Sequence, residues 1–82
     1  VASDIDEIQE VREVKILNES IHGKRITQID LPEATSILML IRGSEMITPD
    51  GDTILQKNDI ITLVGEEDLV DSALSLFTRN QK

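Results

Sequence analysis

The stretch that decides the fold is RGSEMITPDGDTILQKNDIITLVG, which runs from Arg42 to Gly65. An apolar run, ILMLI at 37–41, leads into it and ends at an arginine–glycine pair. A short segment of alternating polarity follows, and then PDGD at 49–52, a strong signal for a tight turn. Asn-Asp at 58–59 opens a second apolar run, which Gly65 closes. These alternating runs and turns predict a small β-meander sheet.

Outward from this stretch, hydrophobic periodicity predicts one strand and one short helix before it and a longer helix after it. In chain order, the predicted elements are a strand over 11–17, a short helix over 23–29, a strand over 35–41 buried on both faces, a strand over 45–48, a brief strand or bridge over 53–55, a strand over 60–64 and a closing helix. Leu31-Pro32 ends the short helix, because the residue before proline is pushed out of the helical region. The fold class is therefore α+β.

The closing helix is predicted from its charges and its apolar stripe. Three carboxylates at 66–68 stand where its first turn begins, and they complement the positive end of the helix dipole. The apolar side chains that follow recur at helical spacing. They are Leu69, Val70, Ala73, Leu74 and Phe77.

The composition describes one small domain with an aliphatic core and an acidic surface. The 82 residues include no Cys, one His and a single aromatic residue, and the formal net charge is −8. Without cysteine there are no disulfides and no thiolate metal sites. The negative charge argues against nucleic acid as a partner, since its backbone requires clustered Lys or Arg. Small cores often gain stability by association, so we expect an oligomer.

The chain divides into three segments. Residues 1–10 carry four acids and no base, and we predict an acidic linker there. Residues 11–78 hold all the predicted elements and form the domain. Residues 79–82 are predicted to be a frayed tail.

Most polar residues that could carry chemistry have a simpler structural explanation. Asp50 and Asp52 flank Gly51, but a calcium loop needs further oxygen ligands and a bidentate Glu, so we predict a turn and no metal site. His22 has no second His near it in sequence, which favours a surface or capping role and leaves contact with a ligand open. One His and no Cys supply no set of nucleophile, base and orienting group. We therefore predict no catalytic residues. An enzymatic function would become a hypothesis again only if the fold placed His22 and carboxylates in one pocket.

Arg42 is the polar residue with the best case for function. It follows five apolar residues at the end of a predicted central strand. One interpretation is a surface arginine at a turn. The other is a guanidinium held at a rigid strand end, where its fork suits bidentate binding of phosphate or carboxylate.

A series of short motifs stands in a distinctive order along the chain. They are Gly23-Lys24 opening a short helix, Leu31-Pro32, an apolar strand ending in Arg42, Thr48-Pro49, Gly51-Asp52-Thr53, Asn58-Asp59-Ile60-Ile61, Val64-Gly65 and a closing amphipathic helix. From Val11 to Phe77 the chain resembles the TrkA C-terminal domain, also called the RCK C-terminal domain. Asn58 stands where that family commonly has glycine, and since Asn also tolerates the left-handed conformation we expect the turn to persist.

The resemblance implies a cytoplasmic regulatory domain of a membrane transport protein. Members of the family are attached to potassium channels, potassium uptake subunits and cation/proton antiporters. They usually form homodimers that bind small ligands near the interface, and some bind cyclic di-AMP. The glycine-rich fingerprint of the family's usual nucleotide-binding partner domain does not precede Val11 in this sequence.

The resemblance also implies a ligand site. In relatives that bind cyclic di-AMP, the site uses the central apolar strand, the arginine after it and the segment around the later proline. The matching residues here are Ile37, Leu38, Arg42 and Pro49. Relatives also use a His-Asn pair in the turn after the arginine, whereas this chain has Gly43-Ser44-Glu45.

Two functions follow as hypotheses. The first is a homodimeric ligand-binding domain that gates the attached transmembrane transport domain of a potassium channel or cation antiporter, with a small nucleotide such as cyclic di-AMP as a possible ligand. The alternative is a structural dimerisation module without a ligand. Neither hypothesis involves a cofactor or catalysis.

Overall fold

The computed structural model describes residues 9–79, which form a four-stranded sheet covered on one face by a helix. The elements are β1 (Gln9–Lys15), a 3-10 turn (Ile26–Gln28), β2 (Thr35–Arg42), β3 (Glu45–Ile47), β4 (Ile60–Glu66) and α1 (Glu67–Thr78). The predicted α+β class is confirmed. The predicted linker over 1–10 and tail over 79–82 lie largely outside the described residues, and of the linker Gln9 and Glu10 pair with β4 as part of β1.

The strand order is β1-β4-β2-β3, and every neighbouring pair is antiparallel. Within residues 9–79, only β2 and β3 form a hairpin of consecutive strands. The order therefore differs from a simple meander, because β4 returns to lie between β1 and β2. This insertion brings the start of β4 beside the end of β2, where Ile60 pairs with Ile41.

One face of the sheet packs against α1 and makes the core. The sheet contributes fully buried aliphatic side chains such as Leu40, Ile61 and Leu63. The helix contributes Val70, Ala73 and Phe77, as the predicted stripe requires. Because the core holds a single aromatic ring, its stability depends on close packing of many branched aliphatic groups.

The other face of the sheet is not covered by any described element. Val11 and Met46 are 60% and 68% exposed there, and Ile41 and Ile60 are partly exposed. The prediction that β2 is buried on both faces is therefore wrong for the single chain, since only Leu40 of this strand is fully buried. The apolar run of β2 nevertheless places hydrophobic side chains on both faces, as its sequence shows.

The connection between β1 and β2 contains less helix than predicted. The helix expected over 23–29 is a single 3-10 turn at Ile26–Gln28. Backbone hydrogen bonds instead attach this connection to the segment after β3. Gly23 N–H donates to Leu55 O at 2.8 Å, and Leu55 N–H donates to Lys24 O at 2.8 Å. The brief bridge predicted over 53–55 is confirmed, with Ile54 pairing to Arg25.

Gly65 does not end β4, as the sequence suggested, because the strand continues to Glu66. Gly65 instead permits a close approach between β4 and the chain that enters β2. A Cβ atom at this position would lie 2.6 Å from the carbonyl oxygen of Ala34. The helix begins directly after the strand, with Glu67 and Asp68 in its first turn as predicted.

The end of β1 is fixed to the end of α1 by a buried asparagine. Asn18 is 1% exposed, and its Nδ2 donates to Leu76 O at 2.8 Å. Its Oδ1 accepts from both the backbone N–H and the hydroxyl of Ser20. Satisfying this buried amide removes the cost of leaving it unpaired and fixes where the turn after β1 starts.

Candidate ligand-binding site at the end of strand β2

Arg42 lies at the end of β2, and its guanidinium forms a bidentate ion pair with the buried carboxylate of Asp59. Its Nε donates to Asp59 Oδ1 at 2.9 Å, and its Nη2 donates to Asp59 Oδ2 at 2.8 Å. Nη2 also donates to Ile54 O at 2.9 Å. Within residues 9–79, Nη1 has no acceptor in hydrogen-bond range, and the side chain is 33% exposed. The arginine is therefore rigidly oriented and keeps one nitrogen available to another acceptor.

Asp59 holds the arginine because the fold removes its carboxylate from water. The residue is 2% exposed, and its Oδ2 also accepts from Gln56 N–H at 2.8 Å. Its own carbonyl accepts from Ile16 N–H at 2.8 Å, which attaches the start of β4 to the end of β1. Asn58, the residue before it, has φ 78, so the left-handed turn expected there is present.

The electrostatic surroundings stabilise the charged form of Arg42. Its pKa is raised above the ordinary value, first by the hydrogen bond with Asp59 and further by the negative charges of Asp59 and Glu45, while burial opposes the shift. Glu45 is the cross-strand partner of Arg42 in the β2–β3 pair. An anion that approached Arg42 would therefore meet a carboxylate on the neighbouring strand.

The structure separates the other three predicted ligand residues from Arg42. Ile37 and Leu38 lie in the first half of β2, about 13–17 Å from Arg42 along a strand that rises about 3.3 Å per residue. Ile37 packs against the core, whereas Leu38 lies at a β-bulge and is 55% exposed. Pro49 follows β3, and continuing the β2–β3 register by two residues would set it opposite Leu38. The predicted site thus consists of an apolar pair near the middle of the strand, Leu38 and Pro49, and a cation at its end, Arg42.

The turn after Arg42 has the geometry of a tight hairpin. Gly43 has φ 63, and a two-residue loop with glycine first fits a type II′ turn. Ser44 is the second residue of this loop and is exposed. The loop brings Glu45 back beside Arg42.

The other polar candidates lie elsewhere. Asp50 accepts a hydrogen bond from Asp52 N–H at 2.9 Å, so its carboxylate stabilises its own turn. His22 lines a shallow pocket of about 200 Å³ with Glu19 and Lys57. This pocket joins His22 to one carboxylate, but that carboxylate is paired with Lys57 at 2.9 Å. Over residues 9–79, no group of three His, Cys, Asp or Glu side chains could hold a metal ion.

Sequence reasoning missed Asp59 as the partner of Arg42. It interpreted Asn58-Asp59 only as the turn that opens β4. A signal was present in the sequence. Asp59 stands just before one apolar run and Arg42 just after another, and such a pair can form a salt bridge when the two strands are antiparallel neighbours. That neighbourhood becomes visible only once β4 is known to lie beside β2.

Comparison with known proteins identifies the family. The model of the TrkA-C domain matches residues 11–78. A protein of Photobacterium profundum, named as a putative transport protein, is 33% identical over 64 residues, which cover 76% of this chain and 12% of that protein. The K(+)/H(+) antiporter NhaP2 of Shewanella sp. (strain ANA-3) is 26% identical over 57 residues, which cover 70% of this chain and 10% of the antiporter. The chain thus spans only about a tenth of the length of these relatives.

Solved structures show the same fold. An RCK domain solved "with cda" superposes with a TM-score of 0.78 at 24% identity, covering 82% of this chain and 96% of that one. The RCK C domain of the potassium transport protein KtrA, solved in complex with cyclic diadenosine monophosphate, gives a TM-score of 0.74 at 20% identity, covering 92% of this chain and 91% of that one. Over residues 9–79, no helix is long and apolar enough to cross a membrane. With the family model matching residues 11–78, this chain belongs to the TrkA-C domain family.

Proposed function

We propose that this TrkA-C domain is the cytoplasmic regulatory domain of a cation transporter, working as a homodimer that binds a small anionic ligand. Similarity to part of a K(+)/H(+) antiporter supports the transporter, and the KtrA C domain in complex with a cyclic dinucleotide supports the ligand class. The observation that carries the proposal is Arg42, a cation held rigidly at a strand end with Nη1 available within the described residues. TrkA-C domains are regulatory domains of transporters and not a class of enzymes.

The uncovered sheet face is the surface we propose for the second copy. It presents Val11 and Met46 to solvent, and Ile41 and Ile60 lie between them on the inner strands. An exposed apolar face of this kind is characteristic of an interaction surface, because burying it removes hydrocarbon from water. A second copy of the chain would bury the same side chains symmetrically.

The proposed ligand site comprises Arg42, Ile37, Leu38 and Pro49. Leu38 and Pro49 would contact an apolar or aromatic part of the ligand, Ile37 would support them from the core side, and Arg42 would bind an anionic group. The distance of about 13 Å between Leu38 and Arg42 suits a ligand of dinucleotide size. Binding across two copies would favour one dimer geometry over another, and the attached membrane domain would respond to that shift in population.

The alternative is a dimerisation module without a ligand, and one observation favours it. Asp59 occupies both Nε and Nη2 of Arg42, so the bidentate face of the fork is not available to a phosphate. In this alternative, Arg42 has only a structural role, which is to bind Asp59 and the carbonyl of Ile54 at the end of the sheet. The two functions differ in what a ligand does to stability.

A melting experiment distinguishes them. A ligand present at 100 times its Kd should stabilise the folded domain by about 2.7 kcal/mol. We expect such a shift with cyclic di-AMP and none with matched concentrations of AMP or inorganic phosphate. The absence of any shift with cyclic dinucleotides, adenine nucleotides and divalent cations would support the alternative.

Titration calorimetry on three variants tests the site. Arg42→Ala should weaken dinucleotide binding. Leu38→Asn should also weaken it while leaving the fold intact, since Leu38 is exposed and lies outside the core. Glu45→Gln should tighten it several-fold, because the variant removes a negative charge beside Arg42. Unchanged affinity in all three variants would remove these residues from the site.

Sedimentation equilibrium tests the dimer. Met46→Glu places a charge on the uncovered face, and we expect it to weaken self-association without changing the fold. Ser75→Glu adds the same charge to the exposed side of α1 and serves as the matched control. Equal association in both variants, or a monomeric parent chain, would contradict the proposed surface.

A further inference from the structure

Two turns meet beside the shallow pocket, and a histidine joins them. The first is the β1 turn, defined here as residues 19–23, and the second is the Asp59 loop, residues 54–59. Lys57 N–H of the loop donates to His22 Nδ1 of the turn at 3.0 Å. Lys57 Nζ also donates to Glu19 Oε2 at 2.9 Å. The turn therefore contributes both an imidazole acceptor and a carboxylate to one residue of the loop.

The hydrogen bond to His22 requires a neutral imidazole. Nδ1 can accept from Lys57 N–H only while it carries no proton, which places the ring proton on Nε2. Imidazole side chains ordinarily take up a second proton between about pH 5 and 8. In the imidazolium form both ring nitrogens are donors, so Nδ1–H would face Lys57 N–H and the contact would become repulsive.

Two charged side chains face the imidazole, and protonation rearranges both contacts. Glu19 comes from the β1 turn, and the hydrogen bond and charge of Lys57 lower its pKa. Lys57 comes from the Asp59 loop. A cationic ring would attract Glu19 and repel the ammonium of Lys57. The backbone N–H of Lys57 would then lose its acceptor, His22 Nδ1, and the ion pair between Lys57 and Glu19 would weaken at the same time.

The loop that Lys57 belongs to is also the loop that orients Arg42. The residue before it, Gln56, donates its N–H to Asp59 Oδ2 at 2.8 Å, and the same oxygen accepts from Arg42 Nη2. Arg42 Nη2 donates as well to Ile54 O in this loop. A movement of Lys57 away from His22 therefore acts on the adjacent peptide, whose N–H helps to hold Asp59 against Arg42.

From these contacts we propose that His22 is a pH-sensitive latch, whose protonation releases the Asp59 loop and loosens the orientation of Arg42. The release is local, because the Gly23–Leu55 and Asn58–Ile16 backbone hydrogen bonds hold the two ends of the loop. The consequence for regulation rests on the proposed function of Arg42. The latch itself needs no ligand, so its test fails or succeeds independently of ligand binding.

NMR of the 15N-labelled chain tests the latch directly. At pH 8 we expect the Nε2–H tautomer of His22 and a coupling across the hydrogen bond between Lys57 N and His22 Nδ1. At pH 5 the coupling should be lost. Solvent exchange of the Lys57 amide, corrected for the intrinsic pH dependence, should become about three- to tenfold faster, as loss of one hydrogen bond predicts. The Gln56 amide and Arg42 Nε–H signals should shift with the same midpoint as the ring.

Two variants separate the latch from general effects of acid. Asparagine is the matched replacement for His22, because its Oδ1 stands the same number of bonds from the backbone as Nδ1 and does not titrate. In His22→Asn the Lys57 amide should stay protected at both pH values, and in His22→Ala it should exchange fast at both. The same acid response in His22→Asn as in the parent chain would overturn the proposal. A response of Lys57 without one at Gln56 and Arg42 would overturn the connection to Arg42.

Discussion

Two ion pairs anchor the loop over residues 54–59, and they differ in their surroundings far more than in their geometry. The nitrogen–oxygen distance is 2.8 Å between Arg42 and Asp59 and 2.9 Å between Lys57 and Glu19. The side chain of Asp59 is 2% exposed, whereas that of Glu19 is 68% exposed. A carboxylate removed from water depends on its partner, but an exposed carboxylate is hydrated without it. The first pair therefore fixes the fold at this point, and the second can be rearranged at little cost.

The largest expected effect follows from breaking the buried pair. Arg42→Ala leaves the Asp59 carboxylate buried, with the N–H of Gln56 as its remaining donor among the described residues. We expect a loss of about 3 kcal/mol in the free energy of unfolding, measured by urea denaturation. Lys57→Ala is the control at the exposed pair, and its effect should be several times smaller.

The double variant Arg42→Ala with Asp59→Asn sharpens this test. The amide that replaces the Asp59 carboxylate carries no charge and still offers an acceptor to Gln56 N–H. If the cost of Arg42→Ala comes from an unpaired buried charge, the double variant is more stable than the single one. A double variant that is no more stable than Arg42→Ala would show that lost packing of the arginine chain, and not an unpaired charge, accounts for the cost.

The sequence was sufficient for most of the fold, because local patterns specify it. The run at 37–41, the PDGD turn and the stripe on the closing helix each predicted an element that the structure contains. The length of the short helix was overestimated. Only Ile26–Gln28 form a single 3-10 turn, while the backbone of Gly23 and Lys24 hydrogen-bonds to Leu55. Gly65 was wrongly predicted to end a strand. A glycine is needed at this position because Ala34, from a distant part of the chain, lies too close for a Cβ atom.

The candidate site was less accessible to sequence reasoning, for a physical reason. Arg42 was correctly placed at a strand end, but its partner is 17 residues away. The pairing exists only because β4 inserts between β1 and β2, and single-sequence periodicity carries no information on strand order. The same holds for His22, whose acceptor role depends on Lys57 across 35 residues.

A middle-sized effect is expected from the residue that sets the direction of Asp59. Asn58 has φ 78, a conformation that costs a residue with an ordinary Cβ about 1–2 kcal/mol. Asn58→Ala should therefore lower the free energy of unfolding by about 1 kcal/mol, while Asn58→Gly should change it little, since glycine adopts this conformation freely. Thermal unfolding of both variants measures the difference. Equal destabilisation by Ala and Gly would indicate that the Asn side chain matters more than its backbone.

The smallest effect is expected at the exposed pair, and it should depend on pH. The hydrogen bond and charge of Lys57 lower the pKa of Glu19 in the folded chain, so the unfolded chain binds the proton more tightly. The stabilisation by Glu19 is therefore present above its unfolded pKa and is lost as the pH falls through the lower, folded value. Comparing His22→Asn with His22→Asn/Glu19→Gln by urea denaturation isolates this contribution, because no imidazole titrates at position 22 in either variant. We expect a small advantage of Glu19 at neutral pH that disappears in acid and shrinks with added salt, since the pair is open to solvent. An advantage that persists in acid would contradict the assignment of this contribution to the charge of Glu19.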